Sequence, residues 1–508
     1  MKPFFKLCFS RVGMVSLGIL LQLLVLFASL SWFQDYAPMI HTVSVILAWA
    51  FVLYILSRKG NPAYKTAWII LLLGFPILGA TLYLIFGGNR LSDRLRRKMA
   101  EIDEAMDGLT VQDPAVVDAM QAEDPDAAVM ARYLANTIRC PAYRNTRTQY
   151  FSSGEAFFDQ LLRDLPRAER SIYLEYFIIE SGEIWSAILE ILRQKAGAGV
   201  EVRLIYDDFG CIQRLPRHYD RRLEALGIHA RVFNRFVPIL DSRLNNRDHR
   251  KFCIIDGRIA FTGGINLADE YANRGKPRFG RWKDCGVRLE GDAVWSVTVM
   301  FLSMWNYLAD RKDFGPKPSV PPLSEASGYV QPYQDSPLDE EAVGRNVFIN
   351  MISRARRYIW IMTPYLIVDE AMDEVLTTAA KSGVDVRIIT PGIPDKPYVY
   401  EMTRANYLAL LEGGVRIFEY SPGFAHSKLF LADDESVAVG TVNLDFRSLY
   451  LHFEDGVWLY RADCVADVRR DFDETFPQCR EITLADASKV HLPRRLFRAA
   501  LRLISPLM

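Results

Sequence analysis

The sequence predicts an α/β protein made of two copies of one globular unit, preceded by an α-helical, apolar N-terminal region. Three observations carry that reading. Two long stretches of the body match each other in order, each copy alternates short β-branched runs with segments of helical apolar spacing, and three uncharged runs open the chain. A length of 508 residues allows more than one domain. With 50% hydrophobic and 24% charged residues, the composition excludes extended disorder and fibrous repeats.

Residues 1–100 hold eleven Lys/Arg and two Asp/Glu, whereas the rest of the chain holds fifty Lys/Arg and fifty-nine Asp/Glu. A basic, apolar N-terminus joined to a mildly acidic body reads as a membrane anchor carrying a soluble domain. Nucleic-acid binding would call for a basic body and is not expected. The runs Val12–Phe33, Ile40–Leu56 and Thr66–Phe86 have 22, 17 and 21 residues, against the roughly 20 that span a hydrocarbon core. The first is too long for a signal-peptide core and has no small-residue cleavage site before a polar start.

Basic clusters at Lys2/Lys6/Arg11, at Arg58/Lys59/Lys65 and between Arg90 and Lys98 all favour the cytoplasmic side, which three full crossings do not deliver. Either the third run dips in and returns, helped by Gly74, Pro76 and Gly79, or one charge bias is overruled. The expectation is a multi-pass cell-membrane protein with its body in the cytoplasm. Residues 101–135 are acidic and read as a solvated linker helix. The seven cysteines are scattered and contain no CxxC pair, which argues against a disulfide framework and a zinc site.

In the body, the segment opening at Arg170 matches that at Arg357. Gly199-Val-Glu-Val-Arg matches Gly383-Val-Asp-Val-Arg, Arg231-Val-Phe matches Arg416-Ile-Phe, and Asp284-Cys-Gly-Val matches Glu454-Asp-Gly-Val. The offsets are 187, 184, 185 and 170, so loops changed length while element order was kept. Helices are expected over Glu183–Ala196 and Glu370–Ala380, each leading into a Gly-Val strand. These boundaries give a first half over 136–315, a Pro-rich linker over 316–340, a second half over 341–482 and a basic amphipathic tail over 483–508.

The chemistry sits at matching places. His249-Arg-Lys251 leads through an apolar run to Asp256, and His426-Ser-Lys428 leads likewise to Asp433. Downstream stand Gly263-Gly264-Ile-Asn266 and Gly440-Thr441-Val-Asn443. Residues two apart on a strand share a face, so each His projects with its Lys. An imidazole beside an ammonium suits attack on a phosphodiester, with one group handling the bond and the other holding anionic oxygens. The catalytic candidates are thus His249, Lys251, Asp256, His426, Lys428 and Asp433, with each Asp equally readable as a turn scaffold.

Asn266 and Asn443 are candidates to donate to phosphate. Asp284 and Glu454 are candidates to orient the imidazoles, as a carboxylate does in a triad. Each copy supplies half a site. Brought together about a pseudo-twofold axis, one His attacks while the other protonates the departing alkoxide, through a phosphohistidine. His41, His218, His229, His452 and His491 have no repeated partner and read as structural. No cofactor motif is present, and no metal is needed, because Lys and Asn carry the phosphate charge.

The paired pattern resembles the phospholipase D superfamily, defined by twin HKD motifs. More closely, it resembles the bacterial cardiolipin synthases over Asn246–Tyr271, Trp282–Gly291, His426–Tyr450 and Phe453-Glu454, and at Asn61–Trp68 before the third apolar run. The resemblance implies two phospholipase D-type α/β/α halves and transfer between two phosphatidylglycerols to give cardiolipin and glycerol, with a membrane-bound phospholipase D hydrolase or another phosphatidyltransferase as the alternative, since both pass through the same intermediate. By analogy, His249 attacks and His426 serves the leaving and incoming hydroxyls. The implied partners are phosphatidylglycerol and anionic membrane lipids. Arg494, Arg495, Arg498 and Arg502 fall within about a 100° helical arc, the pattern of a helix lying on anionic lipid or packed on the body.

Overall fold

The computed structural model describes residues 37–58, 61–87, 93–106, 108–236, 246–275, 277–312, 314–323, 326–339 and 341–505, together with Leu24 and Phe27. The first half contributes β1 (Thr146–Phe151), β2 (Ser171–Tyr176), β3 (Glu201–Asp207), β4 (His229–Phe233), β5 (Lys251–Ile255), β6 (Ile259–Gly263), β7 (Arg281–Lys283) and β8 (Gly286–Gly291). The second half contributes β9 (Tyr329–Asp335), β10 (Tyr358–Met362), β11 (Asp385–Pro391), β12 (Arg416–Tyr420), β13 (Gly423–Ala425), β14 (Leu429–Ala432), β15 (Ser436–Gly440), β16 (Glu454–Tyr460) and β17 (Cys479–Ile482).

One sheet runs β4-β3-β2-β5-β6-β8-β1, and the other runs β12-β11-β10-β14-β15-β16-β9 with β17 added beside β12. Matched strand for strand, the two orders are the same, so the duplicated α/β fold read from the sequence is the fold observed. The pairs β2–β3 and β10–β11 are parallel and need crossovers. The helices Glu183–Gly197 and Glu370–Lys381 supply them, each ending one residue beyond its expected end.

Two apolar cores lie on the outer faces of the sheets, around Ile188 and Leu204 in one half and Leu376 and Ile388 in the other. A third core joins the halves, uniting Ile254 and Val287 with Leu431 and Val457 around the helix Val294–Ala309. Val294 to Tyr307 of that helix are all buried, as befits a helix that is apolar all round.

Two expectations are corrected. The segment expected as a solvated linker helix over 101–135 is helical, but from Pro114 to Ile138 it forms two helices packed on the second half. Met120, Ala128, Met130 and Leu134 are buried there at helical spacing, and Tyr133 donates to Glu341 at 2.7 Å. The linker expected over 316–340 contains β9, an edge strand where Pro332 is tolerated because one side of the strand needs no donors. The third apolar run breaks between Gly74 and Pro76, where the sequence offered a bend. Pro62–Gly74 and Pro76–Phe86 meet at Phe75, which Pro76 forces out of the helical region to φ −139°, ψ 77°.

These two helices pack together with Ala37–Ser57 around Trp68, Leu72 and Tyr83. Among the described residues, no helix is long and apolar enough to cross a membrane. The run Val12–Phe33 lies outside the described residues, apart from Leu24 and Phe27. At the other end of the chain, the tail helix Leu492–Ile504 turns Arg494 and Arg498 toward Glu401 of the body.

Candidate active site

Two short backbone ladders cross between the halves and set the site. In one, β7 pairs in parallel with β13, and the His426 N–H donates to the Lys283 carbonyl at 2.6 Å. In the other, Asp248 bridges Phe453, and the His249 N–H donates to the Phe453 carbonyl at 2.9 Å. Each ladder seats a histidine beside the residue before an acid of the opposite half. His249 Nδ1 therefore lies 2.9 Å from Glu454 Oε2, and His426 Nδ1 lies 2.7 Å from Asp284 Oδ2. The two acids proposed from the repeat do meet the imidazoles, and each serves the histidine of the other copy.

Both imidazoles sit nearly covered, at 8% and 7% exposure. Burial drives His249 down to about 3 and His426 down to about 4, so both rings are neutral. Burial opposes ionisation of Asp284 and Glu454 as well, but the facing His426 ring and Lys428 outweigh it at Asp284 and hold that carboxyl low; His249 and His452 do the same at Glu454. A neutral ring that donates Nδ1–H to a carboxylate leaves the Nε2 lone pair free to attack. Lys251 and Lys428 donate to the carbonyls of His249 and His426, and Lys428 Nζ also lies 2.9 Å from His426 Nδ1. Burial brings Lys251 down to about 8 and Lys428 to about 7. Lys251 interacts electrostatically with His426 and Asp284 of the other pair, so the two pairs lie near each other. An anionic phosphate binding there restores the charge that burial discourages on the two amines.

Asp256 and Asp433 are placed elsewhere. Asp256 accepts from the backbone N–H groups of Glu169, Arg170 and Ser171 at 2.7–2.9 Å, and Asp433 accepts from those of Arg356, Arg357 and Tyr358 at 2.7–2.9 Å. Each holds the start of a neighbouring strand, which supports the scaffold alternative over the catalytic one. Asn266 is likewise engaged within the protein: its Oδ1 accepts from the Ile178 N–H at 2.9 Å, and its amide donates to Tyr271 at 2.8 Å. Asn443 Oδ1 is buried and has no hydrogen-bond partner among the described residues.

Several neighbours escaped the sequence reading. Arg250 lies buried between Glu175 and Asp248, at 2.6 Å and 3.0 Å. The corresponding second-half residues, Ser427, Met362 and Ala425, carry no charge, so the repeat gave no signal. The rings of Tyr271, Trp282 and Phe424 wall His426. Phe177 and His452 flank His249, with ring centres 5.0 Å and 5.7 Å away. Gly264 has a steric reason, since a Cβ there would lie 2.1 Å from Asp284 Oδ1. Thr441, its counterpart, donates its hydroxyl to Glu454 instead.

Twin sheets of one strand order, with two His–Lys pairs converging between them, define a phospholipase D-type transferase fold. The profile described as cardiolipin synthase, PLD-like domain matches residues 161–275 and 348–476, and that of the phospholipase D-nuclease N-terminal region matches residues 43–88. A cardiolipin synthase of Geobacillus kaustophilus is 35% identical over 463 residues, covering 90% of this chain and 91% of its own. One of Alkalihalophilus pseudofirmus is 32% identical over 482 residues, covering 94% and 95%. An uncharacterized protein of Streptococcus mutans is 42% identical over 464 residues, covering 90% and 99%. Among solved structures, phosphatidylserine synthase of Haemophilus influenzae shares the fold with a TM-score of 0.59 at 15% identity, over 75% of this chain and 99% of that one. The chain belongs to the cardiolipin synthase family of phospholipase D-type phosphatidyltransferases.

Proposed function

We propose that the chain joins two phosphatidylglycerol molecules into cardiolipin and releases glycerol, with both steps run by the crossed His–acid pairs. The supporting observation is that each imidazole has Nδ1 anchored on a carboxylate of the other half, which leaves the Nε2 of each ring for the lipid phosphorus. His249 Nε2 attacks the phosphorus of the first lipid, and the bond to the glycerol oxygen breaks. His426, carrying a second proton favoured by Asp284 and the lipid phosphate, gives it to that oxygen. His426 then takes the proton of a hydroxyl on the second phosphatidylglycerol, whose oxygen attacks phosphorus and frees His249. Lys251 and Lys428 hold the phosphate oxygens, Asn443 supports them, and Asp256, Asp433 and Asn266 brace the scaffold. The resemblance to the superfamily chooses His249 as the nucleophile.

A lipid alcohol must outcompete water at roughly 55 M, so a covered site fed from a membrane favours transfer over hydrolysis. The helices preceding the body suit such a membrane. Ile46 and Leu53 are 64% and 65% exposed, more apolar surface than a water-facing helix pair retains. We place the protein at the cell membrane in several passes, with its body on the cytoplasmic side, where the basic clusters belong. Its partners are phosphatidylglycerol and anionic lipids. The test is purified protein with phosphatidylglycerol vesicles in metal-free buffer: cardiolipin with one glycerol per turnover is expected, whereas phosphatidic acid as the sole product would replace this reading with hydrolysis.

A further inference from the structure

The repeat aligns His452 with Trp282, each two residues before the acid that meets the other half's catalytic imidazole. Both flank that imidazole: Trp282 lies 5.2 Å from His426 and His452 lies 5.7 Å from His249, between ring centres. The two side chains differ in chemistry. An indole has no lone pair to offer, whereas His452 is a ring with two nitrogens, both buried and without a hydrogen-bond partner among the described residues. Its side chain is 11% exposed and its Nδ1 lies 3.7 Å from Glu454 Oε1. One ligand atom from each of His249, His452 and Glu454 falls within 4.8 Å of the others.

Those spacings fit a cation. Zinc–nitrogen and zinc–oxygen bonds of about 2.0–2.1 Å in a tetrahedron place ligand atoms about 3.4 Å apart. Glu454 Oε1 lies 3.0 Å from His249 Nδ1 and 3.7 Å from His452 Nδ1, distances that bracket that value. Two imidazoles and one carboxylate select zinc, cobalt or nickel over magnesium and calcium, and three protein ligands leave one open position.

We propose that His249, His452 and Glu454 form a site for a borderline divalent cation, zinc above all, and that filling it switches off the His249 half of the reaction centre. The switching rests on the reaction proposed above; the binding does not. A neutral imidazole has one ring lone pair. When His249 gives the Nδ1 pair to the metal, its proton moves to Nε2, so the attacking nitrogen is lost, and Glu454 is taken from it as well. Among the described residues the His426 half has no such site, because Trp282 stands where the second imidazole would be.

The probe is Co²⁺ added to the purified full-length protein in detergent, read by visible absorption and by calorimetry, then displaced by Zn²⁺. One Co²⁺ per chain with the strong bands of a four-coordinate site is expected, with Zn²⁺ abolishing transfer in step with occupancy and a chelator restoring it. His452→Phe keeps the ring volume and removes the ligand. It should lose the bands and weaken Zn²⁺ binding by at least about 100-fold, since even outer partners of a metal site change affinity about 10–100-fold. Trp282→His, read the same way, should raise the stoichiometry to two. Unchanged Co²⁺ binding in His452→Phe would overturn the site, and full transfer activity with Zn²⁺ bound would overturn the switch. A chain that binds Co²⁺ through His452 yet makes no cardiolipin without metal would count against the proposed reaction and leave the site standing.

Discussion

The acidic residues near the site divide by what their oxygens touch. Asp284 and Glu454 meet imidazole nitrogens, whereas Asp256 and Asp433 meet backbone amides. Their variants should therefore fail differently. Asp284→Asn and Glu454→Gln keep the side-chain volume but lose the charge that supports a cationic imidazole, so turnover should fall roughly 10²–10⁴-fold with little change in melting temperature. Asp256→Asn sets an amide NH₂ against backbone N–H groups and should cost about 1–3 kcal/mol of stability, seen as a lower denaturation midpoint, while the folded fraction keeps near-normal turnover. Equal turnover losses in both sets would return Asp256 to the chemistry. Both Asp256 and Asp433 have positive φ, 55° and 56°, which suits a residue turning the chain just past a strand.

At the scale of elements, two attachments were not evident from composition. The helices over Pro114–Ile138 bury Leu134 completely against the second half, so Leu134→Ala should cost about 2–5 kcal/mol, measured by urea unfolding. The tail helix is held by Glu401, which accepts from Arg494 and Arg498, and by Leu501 packed on Ile367 and Met402. Half of the expected basic stripe therefore faces the body. Leu492 and Leu496, 66% and 62% exposed, face outward instead, and they are the side chains an interfacial helix would bury in lipid.

Hydrogen bonds from Arg494 bring Glu401 down from 4.5 to about 2. A depressed carboxyl stabilises the attachment above its unfolded value and loses that contribution as pH falls from about 4.5 toward 2. Protection factors across residues 492–504, taken against the intrinsic exchange rate at each pH, should fall in that window, and Glu401→Gln should show the low protection already at neutral pH.

At the scale of the whole molecule, the two halves form one machine because each completes the other's histidine. His249→Ala and His426→Ala should each lower transfer by orders of magnitude, and the double variant should be little worse than either, as for groups acting as a unit. A multiplicative loss in single-turnover assays would mean two independent sites. The sequence by itself determined the duplication, the order of elements along each copy, the two His–Lys pairs and the two acids, because periodicity and repeat offsets are local signals. It could not say which acid meets which imidazole. That pairing depends on ladders between β7 and β13 and between Asp248 and Phe453, whose partners lie 142 and 205 residues apart. It was likewise silent on Arg250 and Glu175 and read His452 as structural, because none of the three has a counterpart of the same chemistry in the other copy. Their environment exists only once the two sheets pack face to face, and burial then decides which polar groups are paired, which are neutral and which are left open.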